Sequence, residues 1–148
     1  MSVIVWDGVS VAADTLCVRG DSKTYSRKIF KIDGYVIGAV GPSDYAEAML
    51  AWLRKNPANP PMEEFPKDTQ SKDDFAIGVV FRADEQPRVY DRVPFPTIPL
   101  GDKFAVGSGR DCAIVALRLG ASVYHAVEVT AECIEGVGGE IHVEYLYE

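Results

Sequence analysis

Histidine is nearly absent from this 148-residue chain, which holds two, and cysteine is sparse, at three. Cys17, Cys112 and Cys133 are odd in number and widely spaced, which excludes a disulfide framework and a zinc-site spacing. They are expected to be buried thiols in a reducing compartment. His125 and His142 fall in different elements with no carboxylate at a metal-ligating spacing, so both read as surface or interface residues. No cofactor and no metal are expected. Basic residues are also short, with 15 Lys and Arg against 22 Asp and Glu. The net charge of −7 argues against a nucleic-acid surface, which needs clustered cations. No apolar run approaches the roughly 20 residues of a membrane helix. No cationic stretch leads into an apolar one at the start, so no signal peptide is expected and the cytoplasm is the expected location.

What is present suits one domain over residues 1–148, with 47 % hydrophobic residues to build a core. Ser2 to Val5 and Val9 to Asp14 are β-branched runs around Asp7-Gly8, a strong hairpin signal. A polar loop follows. Ser26 to Ile32 and Tyr35 to Val40 form a second hairpin around Asp33-Gly34. Gly41-Pro42-Ser43 opens a helix with Ser43 as N-cap, and Tyr45, Ala48, Met49 and Trp52 form its apolar face. Residues 56–73 read as a surface excursion, and the acids Asp68, Asp73 and Asp74 as solvated loop. Phe75 to Phe81 pairs with Arg88 to Arg92, while the prolines of 93–99 exclude a central strand there. Phe104 to Val106 is a short strand, then come helices over 110–119 and after Ser122, and a closing strand over 141–147. Strands in runs and helices in runs predict an α+β fold: a four-layer αββα sandwich of two antiparallel sheets flanked by helices.

Val11-Ala12-Ala13-Asp14 closes the second strand, and Arg27-Lys28-Ile29-Phe30-Lys31-Ile32-Asp33 forms the next. Gly41 precedes the first helix, Gly107-Ser108-Gly109 opens the second, and Ala126-Val127-Glu128 lies in the third. In this order, the five signposts resemble the proteasome β-subunit family within the N-terminal nucleophile hydrolases. Size and opening residues are most similar to small proteasome-like proteins of bacterial viruses and prophages. The resemblance implies a threonine- or serine-type hydrolase of peptide or other amide bonds. The first residue of the mature chain attacks the carbonyl, and its free amine acts as base. It implies Asp14 and Lys28 side by side beneath the nucleophile, Gly41 as an oxyanion donor and Ser108 at the terminal amine. It also implies a homo-oligomer, a dimer or a ring. Replacing Lys28 is expected to stop turnover with little effect on folding.

Removal of Met1, which a small second residue permits, makes Ser2 the nucleophile. A two-residue Asp7-Gly8 loop pairs residues whose numbers sum to about fifteen. That register sets Ser2 opposite Ala13, about 10 Å short of the position the resemblance requires. Near the last helix the resemblance also calls for an acid and a serine. The segment Glu132 to Gly139, ECIEGVGG, supplies Glu135 but no serine. Thr15 and Cys17 are other hydroxyl or thiol candidates without an adjacent histidine. Two readings follow: a hydrolase acting through Ser2, and a catalytically silent subunit used for assembly or binding.

Overall fold

The computed structural model describes residues 2–67 and 74–147. One four-stranded antiparallel sheet holds β1 (Ile4–Trp6), β2 (Ser10–Ala13), β9 (Phe104–Val106) and β10 (His142–Tyr145), in the order β10-β2-β1-β9. The other holds β5 (Ile29–Ile32), β6 (Tyr35–Val40), β7 (Ile77–Arg82) and β8 (Arg88–Tyr90), in sequence order. A small two-stranded sheet, β3 (Leu16–Arg19) with β4 (Ser22–Tyr25), stands apart. Among the described residues, the helices are α1 (Ser43–Lys55), α2 (Arg110–Arg118) and α3 (Val123–Cys133), with a turn of 3-10 helix at Met62–Glu64.

Side-chain alternation along the strands assigns each residue to a layer. Ile4 and Trp6 on β1 meet Ile29, Val36, Val79 and Phe81 of the facing sheet, forming the central core. Val3 and Val5, turned the other way, pack with Ala113, Leu117, Ala126 and Val127 beneath α2 and α3. Ile37, Ala39 and Val80 pack likewise against Met49, Trp52 and Leu53 of α1. Strands covered on both faces read as nearly unbroken apolar runs, which is why β1, β6 and β7 are visible in the sequence. The result is the expected four-layer sandwich.

Several local expectations change. The polar loop after Asp14 is the β3–β4 hairpin, so three hairpins precede α1. Ser43 is the first residue of α1 rather than its cap; Pro42 occupies that position, with no side-chain cap bond. Ser122 does cap α3, accepting a bond from the His125 amide at 3.1 Å. Thr97 makes one isolated bridge to Val89, and the proline-rich segment forms no central strand.

The first hairpin turns one residue later than expected. Ile4 faces Ala13, Val5 faces Ala12 and Trp6 faces Val11. Asp7 and Ser10 close the turn, and Gly8 and Val9 form its tip. Gly8 has φ +97°, the first-position requirement of a type II′ turn. The Asp7 carboxylate stays outside the tip and accepts bonds from the Val9 and Ser10 amides at 3.0 and 2.8 Å. Continuing the register sets Val3 against Asp14 and Ser2 against Thr15. Ser2 therefore lies beyond the acid, two positions from the placement opposite Ala13, and the expected shortfall shrinks by about 7 Å.

Candidate functional site

Asp14 follows β2 and Lys28 precedes β5, so the two stacked sheets present them to each other at one end of the sandwich. Their side chains are almost wholly buried, and the Lys28 ammonium donates to Asp14 Oδ1 at 2.9 Å. The ammonium also donates to the Leu16 carbonyl at 2.7 Å. Asp14 Oδ1 accepts a second bond, from the Val3 amide at 3.1 Å, and Oδ2 accepts one from the Gly138 amide at 3.1 Å. A buried ion pair is maintained when its remaining donors and acceptors are satisfied, and these contacts supply that.

Ser2 is 4 % exposed and is held through its backbone. Its nitrogen donates to Ser108 Oγ at 3.1 Å, and its carbonyl accepts from the Gly109 amide at 3.2 Å. Gly107 permits the approach. It has φ +108°, and a β-carbon there would stand 2.2 Å from the Ser2 carbonyl oxygen. The turn entering α2 thus fixes residue 2, while Asp14 fixes residue 3.

Beside Ser2 opens a cleft of about 500 Å³ whose walls include Cys17, Lys28, Ala39, Gly41 and Phe75. Ser2 and Gly41 also border a second hollow of about 390 Å³ on the Ser108 side. Gly41 has φ +126°, and a β-carbon would meet the Phe75 carbonyl oxygen and the Ala76 Cα at 2.8 Å. Of the five residues singled out in the sequence, Ser2, Lys28 and Gly41 line the cleft, Ser108 borders the second hollow, and Asp14 is buried behind Lys28.

Gly138 was not legible in the sequence. Besides its amide bond to Asp14, its carbonyl accepts the amides of Thr15 at 3.1 Å and Leu16 at 3.0 Å. Glu135, considered as a substitute acid, is exposed. Thr15 donates its hydroxyl to the Glu140 carbonyl at 2.8 Å, which ties it to that segment. Cys17 lines the cleft with its sulfur 3.1 Å from Ser26 Oγ. His125 is exposed on α3 beside Glu128 at 2.9 Å, and His142 is on β10. Asp74 is exposed at the cleft, while Asp68 and Asp73 lie outside the described residues. The cysteines are not the buried thiols expected: Cys17 and Cys112 are half-buried and Cys133 is exposed.

The sequence matches no protein-family model and no curated protein. The structure is similar to eukaryotic HslV from Trypanosoma brucei, with TM-score 0.70, 20 % identity and 97 % of each chain covered. It is also similar to BPH from Thiobacillus denitrificans in complex with epoxomicin, with TM-score 0.63, 18 % identity and 100 % of each chain covered. The fold is that of the proteasome-like N-terminal nucleophile hydrolases. Anbu, the ancestral β-subunit from Yersinia bercovieri, shares this proteasome-like fold at TM-score 0.68 and 14 % identity, over 98 % of this chain and 81 % of its own. In the proteasome-like sandwich of this chain, the cleft opens where the ends of both sheets meet the turn entering α2.

Proposed function

We propose that this chain is an N-terminal nucleophile hydrolase of peptide or other amide bonds, with Ser2 as nucleophile. The observation that carries this reading is the Ser2 clamp. Its nitrogen is on Ser108 Oγ at 3.1 Å, and the next amide is on an Asp14 paired with Lys28. The bond between Met1 and Ser2 must first be cleaved, which frees the amine that serves as base. That amine takes the proton from the Ser2 hydroxyl as the oxygen attacks the substrate carbonyl. Lys28 raises the local positive potential and favours the deprotonated nucleophile, and Asp14 positions Lys28. The Gly41 amide receives the oxyanion. The amine leaving group departs with a proton, an ester to Ser2 remains, and water hydrolyses it.

The whole chain acts as one domain in a homo-oligomer. Among the described residues, no helix is long and apolar enough to cross a membrane.

A second reading, a silent subunit serving assembly or binding, is favoured by Gly138. It offers only a backbone amide where the resemblance calls for a serine. Epoxomicin, which BPH carries in its complex, separates the two. Intact mass first establishes that Met1 is gone. The hydrolase reading expects one covalent adduct, mapped to Ser2 and absent in Ser2→Ala. A folded chain beginning at Ser2 that stays unlabelled supports the silent subunit.

A further inference from the structure

Helices α2 and α3 are joined by the short turn 119–122 and packed together over Ala113 and Ala126, both fully buried. Such small residues let two helices approach closely. On the outer side of this seam Cys112 of α2 and Val129 of α3 line one groove. Val129 and Cys133 are four residues apart and share a helix face, so Cys133 is the next side chain along the wall that Cys112 meets. Repulsion from Cys112, then burial, then a hydrogen bond with Cys112 push the Cys133 thiol up.

The end of the seam away from the 119–122 turn connects to the candidate site through both helices. The turn entering α2 carries Ser108 and Gly109, which hold Ser2. The segment leaving α3 carries Gly138, which holds Asp14. Cys112 lies in the first turn of α2, and Cys133 is the last residue of α3.

We propose that Cys112 and Cys133 are a reversible dithiol–disulfide pair, and that oxidation by a low-molecular-weight disulfide fastens the entry of α2 to the exit of α3. One thiolate of the pair attacks a sulfur of the reagent disulfide, forming a mixed disulfide and releasing one reagent thiolate. The partner thiol loses its proton and attacks the protein-side sulfur, closing the Cys112–Cys133 bond and releasing the second reagent thiolate. The protein loses two protons and two electrons, and the reagent is reduced to two thiols. Either thiol can open the exchange, and its partner resolves the mixed disulfide.

The test uses the full chain, incubated with oxidised glutathione, alkylated in acid and mapped without reduction. The expected product is about 2 Da lighter before alkylation, contains a Cys112–Cys133 linked peptide and leaves only Cys17 for the alkylating agent. Its Tm rises by roughly 5–10 °C, and dithiothreitol reverses the shift. In Cys133→Ser, glutathione remains attached at Cys112. An unchanged mass, glutathione on each cysteine separately, or links through Cys17 or between chains would overturn the pairing. A linked chain with unchanged Tm would overturn the fastening. These readouts need no turnover, so they are independent of the role given to Ser2.

Discussion

Asp14 accepts hydrogen bonds from three distant parts of the chain: the Val3 amide, the Lys28 ammonium and the Gly138 amide. Its burial alters what a Lys28 substitution does. The sequence suggests that losing Lys28 spares the fold, but a carboxylate at 0 % exposure would be left without its cation. Lys28→Met is therefore expected to lower folding stability by about 3–5 kcal/mol, measured by urea unfolding. Adding Asp14→Asn should recover part of that loss, because no unpaired charge then remains. Neither variant should take epoxomicin; labelling of the single mutant at the native rate would remove Lys28 from the mechanism. The pair was legible only through the family resemblance, since an acid and a lysine at strand ends by themselves read as solvated surface groups. Gly138 was not, since a backbone amide leaves no mark in the residue code.

Short elements set the site's geometry more than the long ones do. The Asp7-Gly8 signal located the first hairpin, but two-residue logic centred it one position early. The carboxylate of Asp7 and the positive φ of Gly8 decide the register, and neither is a matter of hydrophobic pattern. The β3–β4 hairpin was invisible for a related reason: Ser22–Tyr25 is exposed at every residue and shows no apolar alternation. The turn entering α2 offers a test at this scale. Gly107→Ala adds a β-carbon against the Ser2 carbonyl as well as strain of about 1–3 kcal/mol. Labelling of Ser2 should slow by roughly 100-fold, the size expected for an ångström-scale misplacement. Gly34→Ala is the control, because φ is +83° there but no atom lies within 4 Å of the added carbon. It should lose stability yet label normally; equal slowing in both variants would show general loosening rather than displacement of Ser2.

Across the whole molecule, the central core joins the two sheets chiefly through large side chains. Phe81 is 1 % exposed, with ring centroids 6.4 Å from Trp6 and 6.2 Å from Phe104 of the opposite sheet. Phe81→Ala is expected to cost about 3–5 kcal/mol and to lower Tm by roughly 10 °C or more. A fall of only a degree or two in calorimetry would mean that the sheets are held by other contacts. This layering was readable from strand and helix order because strands buried on both faces must be covered by something. What order alone does not supply is which loops converge at the open end. The bond from Ser2 to Ser108 spans 106 positions, and that from Asp14 to Gly138 spans 124. A ribosome that has just added Lys103 has already made Ser2, Asp14 and Lys28, but neither of the later clamps yet exists. Whatever chemistry the cleft performs therefore begins only after residue 138 has emerged, and a half-synthesised polypeptide is kept inert by its own order of manufacture.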